Sequence, residues 1–114
     1  MSDDRKRKIT PLMQRQDHCQ RVVRRIAENS ENVLYTIHAF DREDLRDITT
    51  GDAIDVLRTG YVEPGIRPGE KEGEWVCKVT KKLITDRPEI GVVTVIIDNQ
   101  QRLLVATLEW EYPE

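Results

Sequence analysis

Residues 90–110 read Ile-Gly-Val-Val-Thr-Val-Ile-Ile-Asp-Asn-Gln-Gln-Arg-Leu-Leu-Val-Ala-Thr-Leu-Glu-Trp. Ile90–Ile97 is apolar apart from Gly91 and Thr94, as expected of a strand covered on both faces. Asp98–Gln101 is rich in turn formers and predicts a hairpin. Arg102–Trp110 then predicts a returning strand with Leu104, Ala106, Leu108 and Trp110 on one face. Upstream, Trp75–Ile84 alternates Trp75, Cys77 and Val79 against Lys78, Thr80 and Lys82. Three strands in this order predict an antiparallel meander.

The first half of the chain carries helical signals. Cys19, Val22, Val23 and Ile26 recur at i, i+3, i+4 and i+7, one apolar stripe with Leu12 near the same face. Thr10-Pro11 predicts the start of that helix, with Thr10 as N-cap and Pro11 in the first turn. Val33–Ile37 reads as a short strand. His38–Arg46 reads as a short helix with Phe40 and Leu45 as its apolar members. Thr49 or Thr50 caps a further helix whose buried face is Ala53, Ile54 and Leu57, with Gly60 just past its end. Tyr61-Val62 begins an extended segment, and residues 64–73 form a Pro/Gly-rich polar loop. The expected architecture is α+β: N-terminal helices on a three- to four-stranded, mainly antiparallel sheet. Residues 1–9 are expected to be a flexible basic arm and residues 10–114 one domain.

Size and charge narrow the function classes. The chain has 114 residues, too few for a Rossmann domain with a separate substrate domain or for a TIM barrel. No apolar run is long enough to span a bilayer, and no secretory signal opens the chain, so a cytoplasmic location is expected. The net charge of −3 hides a divided chain: residues 1–25 are net +5 and residues 41–74 net −5. Any nucleic-acid contact is thereby confined to the arm, the first helix and the lysine-bearing strand. Cys19 and Cys77 lie far apart. They read as two buried thiols, although one bridge between them is compatible with the sequence.

No Gly-rich phosphate loop, G-x-S-x-G, H-E-x-x-H or paired C-x-x-C is present, and no cofactor is implied. His18, Cys19, His38 and Cys77 match zinc by residue count but lack paired-ligand spacing, so no metal site is read. His38 at a strand end, with Arg42 one helical turn on, has the residue types to hold a phosphate and move a proton. Against that, His38 serves equally well bonding a loop carbonyl and Arg42 as a solvated charge. Lys78, Lys81 and Lys82 have the charge to bind phosphates, or to protect an edge strand from aggregation. Arg21, Arg24 and Arg25 line the first helix as candidate nucleic-acid contacts. Arg46 and Arg58, among carboxylates, read as surface ion pairs. Trp75, Tyr61 and Trp110 are able to stack on bases, with structural use preferred for Trp75 and Trp110.

The pattern Ile37-His38-Ala39-x-x-Arg42, continued by Asp47-Ile48 and Asp52-Ala53-Ile54-Asp55-Val56-Leu57-x-x-Gly60, resembles the domain of unknown function 4258 family. Ala106-Thr107-Leu108 in the closing strand pair is similar too, and the likeness spans residues 33–110. The element order also resembles the MqsR and RelE group of ribonuclease toxins, which cleave mRNA without a metal. That resemblance implies a RelE/MqsR-like fold and a toxin-like endoribonuclease in which Arg42 and Lys78 hold the scissile phosphate and His38 is base or acid. It implies RNA or the ribosome and an antitoxin-like protein as partners. The acidic end Glu109-Trp110-Glu111-Tyr112 departs from the toxin pattern. The alternative reading is a non-catalytic interaction module, whose sheet or first helix docks a protein partner or a second copy as a homodimer.

Overall fold

A computed structural model describes residues 11–45, 47–83 and 85–111 of the chain. The basic arm 1–9, the Thr10 cap, Arg46, Ile84 and Tyr112 lie outside the described residues.

The fold is α+β, with helices α1 (Gln16–Ala27) and α2 (Thr50–Thr59) packed on one face of a mixed six-stranded sheet. The strands are β1 (Val33–Tyr35), β2 (Tyr61–Val62), β3 (Arg67–Pro68), β4 (Glu74–Lys81), β5 (Glu89–Ile97) and β6 (Arg102–Glu111). Their order is β1-β6-β5-β4-β2, with β3 also paired to β4. The expected meander β4-β5-β6 is present and forms the centre. The sheet is larger than the three to four strands expected. It is mixed because β1 returns parallel to β6, Val33 opposite Leu103 and Tyr35 opposite Val105. Beyond the α+β class, nothing in this architecture bears on a RelE/MqsR-like assignment.

Register explains which side chains reach the core. On the helix side, β5 presents Ile90, Val92, Thr94 and Ile96. Opposite them on β6 stand Trp110, Leu108, Val105 and Leu103. The change from even to odd numbers marks an irregularity beside Val93/Thr94, where Ala106 is the extra residue of a β-bulge. The single apolar face expected for Leu104, Ala106, Leu108 and Trp110 is therefore split. Leu108 and Trp110 enter the core, while Leu104 and Ala106 turn to the opposite face and Leu103 and Val105 replace them. Asp98–Gln101 does make the hairpin, closed by Gln101 in the left-handed region at φ 52°.

Three further expectations are corrected. The first helix starts at Gln16, because Leu12–Gln14 form a separate 3-10 turn and Arg15 is extended at φ −85°, ψ 125°. That break exchanges neighbours, burying Met13 and leaving Leu12 exposed. Residues 38–46 are not one helix. Turns at Ala39 and Asp41 precede a 3-10 turn over Glu43–Leu45. Ala39 and Leu45 both reach the core from positions six apart, a spacing that one straight helix does not place on one face. The lysine strand ends at Lys81, so Lys82 lies beyond it and does not share a strand face with Lys78.

α2 is capped as its sequence requires. Thr49 Oγ1 accepts from the Asp52 N–H, and the Asp52 carboxylate accepts from the Thr49 N–H. The two helices also terminate one another. Arg24 of α1 donates to the carbonyls of Thr59 and Gly60 at 3.3 and 2.9 Å. Arg58 of α2 donates to those of Ala27 and Glu28 at 2.7 and 3.0 Å. Each guanidinium satisfies carbonyls left over at the other helix's C-terminus and meets its negative dipole end. Arg58 is thus a cap for α1 rather than the surface ion pair expected. Gln16 and Gln20, one turn apart, grip the backbone of Val62 from both sides, Gln16 donating to its carbonyl and Gln20 accepting from its N–H.

Candidate functional site

The cations nominated from the sequence do not converge. His38 Nδ1 pairs with Asp41 at 2.5 Å, and Arg42 makes a two-pronged bond to Asp44 at 2.7 and 3.1 Å. Both lie in the exposed connection after β1. Lys78 sits on β4, separated from β1 by β5 and β6, about 14 Å at ordinary strand spacing. Its side chain is on the helix-free face of the sheet, whereas the connection carrying His38 and Arg42 folds toward the helix side. There Trp110 Nε1 donates to the Asp44 carbonyl at 2.8 Å.

Lys78 is itself neutralised. Its ammonium reaches across β5 to Glu109 at 3.0 Å and Glu111 at 2.5 Å. Desolvation alone would lower its pKa. The bonds to Glu111 and Glu109 outweigh that and hold it above the ordinary lysine value, so it stays charged. Gly91 makes the crossing feasible. A Cβ there would stand 2.7 Å from Glu111 Oε2 and 2.8 Å from Lys78 Cε.

The remaining cations are spread over several elements. Arg24 is committed to the C-terminus of α2, and Arg25 donates to Gln101 Oε1 at 2.8 Å. Lys81 bonds Thr59 Oγ1 at 2.6 Å and Asp55 at 3.3 Å, tying β4 to α2. Lys82 donates to the Arg87 carbonyl at 2.7 Å. Arg21 is exposed and only loosely paired, 3.7 Å from Asp17. Trp110 is buried, with Arg87 stacked 4.3 Å from its ring centroid. Tyr61 is 68% exposed on the helix-free side.

The two thiols face each other from α1 and β4, both free and buried. Contact with Cys19, together with burial, pushes the Cys77 thiol well up, so it is a core group rather than a nucleophile. Among the described residues, no three His, Cys, Asp or Glu side chains gather as a metal site. No described helix is long and apolar enough to cross a membrane.

The most developed surface feature is one that sequence reasoning missed. On the helix-free face, register aligns Leu34, Leu104, Val95 and Val76 in one row across β1, β6, β5 and β4. Val93 and Ala106 adjoin it. Leu34 is 41% exposed, and the others are half-buried. The β3–β4 segment Arg67–Glu74 rises beside this floor, and together they bound a groove of about 530 Å³. One end of the face carries Glu89, Glu109 and Glu111 around Lys78. At the other, Arg102 and Glu74 flank Ile97, while Arg67 stands opposite Val76 beside the apolar row and Glu70 and Lys71 line the groove wall. The signal available beforehand was that β5 is apolar on both faces, which predicts a cover on each side. The described residues supply helices to one.

Compared with protein-family models, with curated proteins and with solved structures, the chain matches none.

Proposed function

We propose that this chain is a non-catalytic interaction module that docks a protein partner on the helix-free face of its sheet. The observation that carries the reading is the row Leu34–Leu104–Val95–Val76, apolar side chains aligned by register on a face that no described helix covers. Such a row gains from burial at roughly 25 cal/mol per Å² of apolar surface removed from water. The ribonuclease reading has less support. It asks His38, Arg42 and Lys78 to share one phosphate, and each has a carboxylate partner of its own.

The test uses an environment-sensitive apolar dye, bis-ANS, on the native protein. Its fluorescence should rise on binding and should be lost in a Val95→Glu, Leu104→Glu double variant that still melts cooperatively. A native protein that does not bind the dye, or a double variant that binds it equally, refutes docking through this face. Incubation with total RNA should leave the RNA intact. Cleavage that disappears in His38→Ala and Lys78→Ala would return the ribonuclease reading to first place.

A further inference from the structure

On the helix side of the sheet, away from the docking face, we infer that Cys19 and Cys77 are a redox pair. Hydrogen peroxide joins them in one intramolecular disulfide that ties α1 to β4, and a thiol reductant reopens it.

The fold places the two sulfurs together. Cys19 belongs to the apolar stripe of α1, and Cys77 lies on the helix side of β4; both are buried. Side-chain bonds on either side of Cys19 fix where α1 crosses the sheet. Gln14, just before the helix, donates to the Ile66 carbonyl, while Gln16 and Gln20 hold Val62. Val62 stands opposite Val79, and Arg67, next to Ile66, stands opposite Val76. The anchors therefore bracket Cys19 on the helix and Cys77 on the strand, and the thiols meet between them. The chain has no third cysteine, so no other internal bridge competes.

The two thiols are unequal. Contact with Cys77 favours the Cys19 thiolate, against the opposing effect of burial. The same contact, with burial, keeps Cys77 protonated. Cys19 is therefore the first nucleophile and Cys77 the resolving thiol. The Cys19 thiolate attacks one peroxide oxygen, the O–O bond breaks, and the departing hydroxide takes up a proton to become water. Cys19 is left as a sulfenic acid. The thiolate contact that kept Cys77 protonated is then gone. The Cys77 sulfur attacks the Cys19 sulfur, its proton passes to the leaving hydroxyl, and a second water departs as the S–S bond forms. Two thiols and one peroxide give one disulfide and two waters. Peroxide is close to water in size, so brief local openings admit it to this buried site. The bond closes residues 19–77 into one loop, which restricts the unfolded chain.

The test treats the reduced full-length protein with hydrogen peroxide. The intact mass should fall by about 2 Da as two thiol hydrogens are lost. Thiol titration in guanidinium should go from two groups to none, and non-reducing digestion should yield the linked Cys19 and Cys77 peptides. The Tm should rise by about 10 °C, and dithiothreitol should reverse every change. Cys77→Ser treated with peroxide should be trapped by dimedone at Cys19. Thiols that still titrate after treatment overturn the inference. So does a mass gain of about 16 Da per added oxygen without a bridge. A bridge between two chains, or one that forms only in urea, overturns it as well. Because the mass and peptide map are read on the wild-type protein, a serine variant that fails to fold leaves the test decisive.

Discussion

Replacing Gly60 with alanine should destabilise the fold, although Gly60 is a position where local backbone geometry favours the change. Gly60 ends α2 at φ −82°, ψ −172°, which any residue adopts. By conformational entropy alone, alanine would stabilise by about 0.4–1 kcal/mol. The surroundings decide otherwise. An added Cβ would lie 2.6 Å from the Val56 carbonyl oxygen, 2.7 Å from that of Thr80 and 3.0 Å from Val79 Cγ1. An unstrained C···O contact is about 3.3 Å, so α2 and β4 must separate by roughly 0.6 Å. Two of these atoms are backbone and cannot swing aside. Overpacking of this kind costs about 1–3 kcal/mol. The same movement weakens the Gly60 N–H bond to Val56 and the Arg24 bond to the Gly60 carbonyl, at about 1 kcal/mol each where lost. The net loss is about 2–3 kcal/mol, or a Tm lower by about 8–12 °C for a domain of this size. Urea and thermal unfolding followed by circular dichroism measure it. Gly73→Ala is the control, since φ +85° with no atom within 4 Å leaves backbone strain alone, about 1 kcal/mol. A Gly60→Ala protein with unchanged or higher Tm would refute the close-approach argument.

Other expected outcomes follow from the same helix and from the open face. Thr49→Ala removes the Oγ1 half of the Thr49–Asp52 box, leaving the Thr49 N–H bond to the Asp52 carboxylate, and should cost about 0.5–2 kcal/mol in urea unfolding. Gly51→Ala should gain about 0.5–1 kcal/mol, because its Cβ meets only Thr49 Oγ1 at 3.5 Å; a loss would mean an unseen constraint on the first turn. Lys78 should show itself in alkali. Its pKa is raised on folding, so the stability it contributes is intact below the ordinary value of 10.5 and is lost as pH rises through the higher folded value. The Tm difference between wild type and Lys78→Met should therefore hold at pH 7–9 and shrink above about pH 10.5; a difference that persists to pH 12 contradicts the ion-pair account.

What the sequence made legible was local. The stripe Cys19–Ile26 and the Thr49 cap are signals within two turns, and the three C-terminal strands alternate or run apolar over eight or more residues. What escaped depends on partners distant in the chain. Nothing within Val33–Tyr35 specifies Leu103–Val105 as a parallel neighbour. Nothing in Arg102–Trp110 announces the bulge, since either phase of that strand has apolar residues to offer the core. The candidate site failed to assemble for the same reason. Lys78 was nominated by residue type. Its availability was decided by Glu109 and Glu111, which reach it only because β5 and β6 fold back in one register and Gly91 leaves the path clear. Arg24 was nominated as a nucleic-acid contact and Arg58 as a surface ion pair, yet the helix pairing makes each the other helix's cap.

The reading of β5 as covered on both faces is met on one face by the described residues. Its even positions are buried by α1 and α2, which confirms one cover. Its odd positions Val93, Val95 and Ile97 are equally apolar, yet they stand half-buried. A surface strand in a two-layer domain would alternate, with polar residues at those positions. Leu104 and Leu34 continue the same bias onto the neighbouring strands, so it belongs to a face rather than to one residue. Acidic residues gather at one end of that face, where Glu89, Glu109 and Glu111 surround Lys78. Burial among the described residues accounts for the apolar choice at Val92 or Leu108 and leaves the choice at Leu34 and Val95 unexplained. The docking proposed for this face supplies the missing cover for that apolar middle.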